Sequence, residues 1–169
     1  MNEGREAGSS LPHSHSQLTW LPAAPPAVVA EPGLPAGETI LERDGLTLTC
    51  PSASRLPYEF QLAPSAPEAN AFTSPLLASA LLLLAEAVRA LRRLEGPVPL
   101  NVWLHDGAHW HLEVLPRITI LAGLELGAGV FVNALPPEEA AGRLSGALAN
   151  DEDRLADDPP DDSAATAGV

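Results

Sequence analysis

LNVWLHDGAHWHLEVL, residues 100–115, sets the architecture. Asp106-Gly107 lies between two runs in which apolar and polar residues alternate, and Asp-Gly in that setting is a strong local hairpin signal. Residues 100–105 and 109–115 are therefore expected as antiparallel strands. Side chains repeat every two residues on a strand, which puts His109, His111 and Glu113 on one face. A lone hairpin is marginal in water, so this one needs partners.

Upstream partners are legible. Residues 74–94 read as a helix: Ser74 can cap it, Pro75 suits its first turn, and leucine and alanine fill it. Arg89, Arg92 and Arg93 collect near its end, where Gly96-Pro97 stops it. Residues 38–43 and 46–50 repeat the hairpin pattern around Asp44-Gly45, and residues 57–63 alternate as a further strand. Downstream, residues 129–133 offer another strand, and residues 136–148 a short helix opening on Pro-Pro-Glu-Glu. Antiparallel strands against one long helix make an α+β layout.

Composition excludes several functions. The 169 residues suffice for one domain with a real core, and the net charge of −13 opposes nucleic acid as a partner. All nine basic residues are arginines, so neither a Schiff-base lysine nor a P-loop lysine is available. The single cysteine, Cys50, excludes an internal disulfide framework and points to a reducing cytoplasm. No secretory leader is visible, and the apolar run over residues 76–85 meets Glu86 and Arg89 too soon to span a bilayer. Residues 21–37 read as a proline- and alanine-rich connector. Residues 150–169, with seven acids and one arginine, are expected to be a disordered acidic tail.

Only five histidines occur, in two groups: His13 and His15, then His105, His109 and His111. Within LPHSHSQL, residues 11–18, an extended backbone would project His13, His15 and Gln17 from one face at roughly 7 Å intervals. Such a pattern suits exposed polar surface, a metal held by alternate histidines with a carboxylate, or covalent catalysis by imidazole on phosphorus. Spacing alone does not choose between them.

The surrounding text sharpens the choice. Asn2-x-Gly4, a small-residue stretch ending in Ser10, and His13-Ser14-His15-Ser16-Gln17 resemble the active-site segment of galactose-1-phosphate uridylyltransferases, a family within the histidine triad superfamily. Independently, His109-Trp110-His111-Leu112-Glu113-Val114-Leu115-Pro116-Arg117, then Ala122-Gly123-Leu124-Glu125 and residues 136–141, resemble the family's C-terminal domain. Tyr58-Glu59-Phe60 is a further landmark. The similarity runs from Asn2 to about Leu148.

The resemblance implies a histidine-triad-like antiparallel sheet packed with one long helix, over residues 38–149. Ahead of it would stand a detached active-site strand, residues 1–20 being the end of a largely missing first domain. It implies a nucleotidyltransferase of galactose metabolism, working with a UDP-sugar and a sugar 1-phosphate. His15 matches the nucleophile that takes the uridylyl group; imidazole needs no added base for this and gives a phosphoramidate that still transfers. Gln17 stands where hydrolytic relatives carry a histidine, and an amide holds a phosphoryl oxygen but does not shuttle a proton, which favours transfer. Ser10 matches a phosphate contact, Asn2 a nucleotide contact, and Glu125 a residue touching sugar hydroxyls, usually across a dimer interface. His13 matches a zinc ligand whose partners would lie outside this chain. Glu31, His105, His111 and Glu113 fall where several members bind a second metal, zinc or iron. No organic cofactor is implied.

This chain departs from the family's pattern in two ways. Ser14 replaces the proline usual between the two histidines, which loosens a backbone that a fixed φ would stiffen. His15 also stands near the start of the chain, so that most of the family's first domain has no counterpart ahead of it. An internal start, a truncated gene, or a separate chain supplying the other half are the readings of this, in that order. The complete protein would be a homodimer. An adenylyl-transferring nucleotide-sugar phosphorylase and a non-catalytic metal- or ligand-binding remnant are the competing functions.

Overall fold

Asp44 and Gly45 both take positive φ, 52° and 78°, the backbone that a two-residue hairpin turn requires. This turn joins β2 (Gly37–Arg43) to β3 (Leu46–Pro51) with Arg43 opposite Leu46. A side chain at Gly45 would be strained whatever the space around it. Gly45→Ala is therefore expected to cost about 1 kcal/mol or more, read as a lower urea midpoint with unchanged slope. At Gly37 the constraint is contact: a Cβ there would overlap the Cys50 carbonyl oxygen, so glycine lets the two strands close.

A computed structural model describes residues 1–11, 13, 15–18, 22–23, 36–68, 70–107 and 109–157. Besides β2 and β3 it contains β1 (Asn2–Glu3), β4 (Phe60–Pro64), β5 (Leu100–His105) and β6 (His111–Pro116). Its helices are α1 (Leu77–Glu95), α2 (Gly123–Ala128) and α3 (Pro137–Asp157). The strands form one antiparallel sheet in the order β1-β5-β6-β4-β3-β2. The α+β expectation holds.

The helix α1 ends where its sequence signals place it but begins at Leu77, with Leu76 as an N-cap that makes no side-chain bond, so Ser74 shapes the preceding turn and does not cap the helix. Ser74 Oγ accepts the Leu76 N–H at 3.0 Å, and Gly96, φ 77°, donates its N–H to the Arg92 carbonyl at 2.9 Å and ends the helix. Its Ala80, Leu83, Leu84, Ala87, Val88 and Leu91 are buried, and α3 packs beside it with Leu144 fully enclosed. From the sheet, Leu48, Phe60, Leu62, Leu100, Leu112 and Val114 join the same core. Each such side chain contributes about 1.5–3 kcal/mol over leaving it exposed. With the helices gathered on this side, residues at the alternate strand positions look to the other face.

Three further expectations change. The opening strand is docked rather than detached: Asn2 pairs with Asn101 and Glu3 with Leu100, and the Glu3 carboxylate meets the Arg92 guanidinium of α1. Residues 129–133 form no strand. They follow the short helix α2, whose Glu125 carboxylate accepts the Ala122 N–H at 2.9 Å and whose end is set by Gly129 at φ 64°. Finally α3 runs through the start of the acidic stretch to Asp157, because Glu152, Arg154, Leu155 and Ala156 are good helix formers despite the charge. Residues 158–169 and most of the connector lie outside the described residues. Among the described residues no helix is long and apolar enough to cross a membrane.

Candidate functional site

Pairing register lines up the polar face. Residues directly opposite on antiparallel strands share a face, so the pairs His15–Asn2, Asn2–Asn101 and Asn101–Leu115 make one row across the sheet. Two residues along β6 the next row holds Trp103, Glu113 and Gln61, and the third holds His105 opposite His111. Rows are about 7 Å apart and strands about 4.8 Å. His105 thus stands on the order of 15 Å from His15. The two histidine groups share one face of the sheet without sharing one site.

In the first row the Asn101 amide holds the opening segment. Its Nδ2 donates to Asn2 Oδ1 and to the Ala7 carbonyl, both at 2.8 Å, and its Oδ1 accepts from Arg117 at 3.4 Å. Asn101 is buried. Nothing in its own sequence surroundings marks it, because its partners at Asn2 and Ala7 come from the far end of the chain. His15 is half-buried, and its Nδ1 lies 3.4 Å from the His13 carbonyl oxygen. If that nitrogen carries the proton, the lone pair belongs to Nε2.

The expected shared face of His13, His15 and Gln17 is not formed as a strand. Among the described residues from 10 to 18 the backbone makes one β-bridge, Asn2 to His15, and no longer ladder. Ser10, His13 and Gln17 are exposed. His13 lines an open cavity of about 840 Å³ together with Glu3, Arg5 and Arg92, and His15 does not. Glu125, half-buried, is engaged in closing the first turn of its own helix.

The third row and its neighbour form the candidate metal centre. Ligand atoms of His105, His111 and Glu113 all lie within 4.8 Å of one another. The imidazoles stack with centroids 4.4 Å apart, and His105 Nε2 is 3.1 Å from Glu113 Oε2. His111 Nδ1 is 3.0 Å from the His109 carbonyl oxygen, a contact that fixes the ring and assigns the metal-facing role to Nε2. Two imidazoles and a carboxylate fit zinc or iron by donor type. A metal bound there would cross-link β5 to β6 and, at this distance from His15, act on the structure. Among the described residues this is the one cluster of three or more such donors; His13 joins none, and Glu31 lies outside the described residues.

Arg55 completes the centre, and sequence reasoning misses it. Its guanidinium meets both Glu113 and Glu59, the latter at 2.7 and 3.0 Å, while its own backbone N–H donates to Glu59 at 2.5 Å. Asn133 straps the same loop through the Ser54 and Leu56 carbonyls, each at 3.3 Å. Buried Tyr58, at φ 57°, turns the chain from this loop into β4. A loop arginine that reaches a strand 58 residues away leaves no periodic signal.

Cys50 offers no nucleophile. Burial, aided by the charges of Glu59 and Glu38, pushes its thiol up to about 12, so the thiolate is scarce near neutrality. The native chain is expected to release no chromophore from a thiol-exchange reagent at pH 8, and to release one equivalent once denatured.

No model of a known protein family matches the chain. A curated relative, ADP-glucose phosphorylase from Arabidopsis thaliana, is 25% identical over 175 residues, covering 83% of this chain and 48% of its own length. The chain thus spans about half the length of the curated relative it matches. Among solved structures, an ADP-glucose phosphorylase from Arabidopsis thaliana with bound ADP-glucose superposes with a TM-score of 0.75 at 22% identity, over 85% of this chain and 56% of that one. A uridylyltransferase gives 0.74 at 25% identity, over 89% and 59%. A smaller zinc-bound histidine triad family protein from Mycobacterium smegmatis gives 0.51 at 19% identity, over 70% and 88%.

Proposed function

This chain resembles galactose-1-phosphate uridylyltransferase-like proteins and shares the histidine triad fold, and from that likeness we propose that it carries the nucleophile segment and the C-terminal domain of a nucleotidyltransferase. The reaction moves a uridylyl group between sugar 1-phosphates through His15. The observation that carries this reading is the Asn2–His15 bridge, which ties the nucleophile's segment to the sheet with His15 Nδ1 near the His13 carbonyl. Nε2 of His15 attacks the α-phosphorus of the nucleotide sugar. An N–P bond forms as the P–O bond to the departing sugar 1-phosphate breaks, and an incoming sugar 1-phosphate reverses the step.

Other residues take supporting parts on this reading. The Gln17 amide and Ser10 hydroxyl donate to phosphoryl oxygens, and with no third histidine at position 17 water is not activated for hydrolysis. Asn2 contacts the nucleotide, Glu125 the sugar hydroxyls, and His13 a zinc ion. The chain works in the cytoplasm as part of a homodimer in galactose metabolism.

A second reading changes the base and the acceptor: the curated relative is an ADP-glucose phosphorylase, which favours an adenylyl group passed from His15 to inorganic phosphate. Incubating the chain with UDP-glucose or ADP-glucose labelled at the α-phosphorus, then mapping acid-labile label to the peptide holding His15, tests both. Label from UDP-glucose supports the uridylyl reading, and label from ADP-glucose alone replaces it with the adenylyl one. A folded chain labelled by neither counts against transfer by this chain unaided and favours the reading of a binding module.

A further inference from the structure

We infer that Arg55 is the resident cation of the His105–His111–Glu113 cluster, and that a divalent metal binds there only by displacing Arg55 from Glu113. The inference does not depend on the nucleotidyl-transfer reading. Glu113 is buried, and its two oxygens are already divided: Oε1 meets the Arg55 guanidinium and Oε2 faces His105 Nε2 at 3.1 Å. With both oxygens engaged, the carboxylate cannot close on a metal until the guanidinium gives up Oε1. An entering zinc ion would also meet the guanidinium as a like charge a few ångströms away, in surroundings less screened than water.

The arginine is held in place without being locked. Glu59 grips it at both the backbone N–H and the side chain, and the Arg55 side chain is 39% exposed. It can therefore turn away from Glu113 while Glu59 keeps its loop anchored. Glu59 would then stand as the residual partner of Arg55, and Glu113 would turn wholly to the metal. Glu113 thus supports two alternative ties, one from β6 to the Arg55 loop by an ion pair and one across the β5–β6 hairpin by a metal.

The test is calorimetric titration with zinc chloride of the wild-type chain, Arg55→Met, Arg55→Lys and, as a control that removes the same charge from exposed α1 surface, Arg89→Met. Arg55→Met should bind zinc at least about tenfold more tightly than wild type, Arg55→Lys less tightly than Arg55→Met, and Arg89→Met as wild type does. Adding His111→Ala to Arg55→Met should abolish the gain. Equal or weaker binding by Arg55→Met, an equal gain in Arg89→Met, or a gain that survives His111→Ala overturns the inference. Should Arg55→Met fail to fold, the wild-type chain decides: at saturating zinc the Arg55 Nε–H resonance should shift and lose exchange protection, and a resonance left unmoved while His105 and His111 shift rejects displacement.

Discussion

His15→Ala is expected to take up no label from either nucleotide sugar, while His109→Ala is labelled as the wild type is. On the proposed reading His15 is the nucleophile and its removal leaves no atom to form the N–P bond, so turnover should fall by roughly 10⁴-fold or more. The contrast is sharp because both histidines are accessible. His109 sits exposed at the β5–β6 turn and gives the cluster only its backbone carbonyl, whereas His15 lies in the Asn2 row at the other end of β5. Neither substitution removes core packing, so melting temperatures should hardly move. Undiminished labelling of His15→Ala would sink the nucleophile assignment.

Asn101→Ala should release the opening segment. The substitution deletes both 2.8 Å hydrogen bonds to Asn2 and Ala7, and it leaves the Ala7 carbonyl and Arg117 short of a partner. Leaving buried polar groups unsatisfied costs about 1–3 kcal/mol. Because β1 is only two residues long, this cost should fall mainly on its docking. Hydrogen exchange over residues 1–11 should accelerate while β3, β4 and β6 stay protected, and labelling at His15 should slow about 10- to 100-fold at saturating donor. Equal protection of residues 1–11 in variant and wild type would show that Asn101 does not hold the segment.

Both hairpins and α1 are readable because their signals are local. Asp44-Gly45 dictates its turn through backbone sterics, and Ser74, Pro75 and Gly96 punctuate one continuous apolar run. The grouping of His111 with Glu113 follows from period-two alternation on one strand, and the hairpin register adds His105 opposite His111. Residues 129–133 show the limit of that rule. Alternation supplies a strand only where a neighbouring strand is free to pair, and in this chain the segment leaves a short helix at Gly129 and runs on toward α3 without a partner. The far end of α3 is hidden for a different reason: its acidic composition resembles a solvated tail, while the helix propensity of the same residues continues the helix.

Turn stereochemistry, side-chain period and residue type are properties of neighbouring residues, and from them alone come the sheet-forming segments, the long helix and the chemical character of the two histidine groups. What those groups are attached to emerges with folding. Asn101 fastens the His15 segment to β5, and Arg55 closes on Glu113, through contacts between residues far apart in the chain. Their partners are selected by the burial of polar groups that must be paired once water is excluded, and that requirement arises only when the sheet has formed.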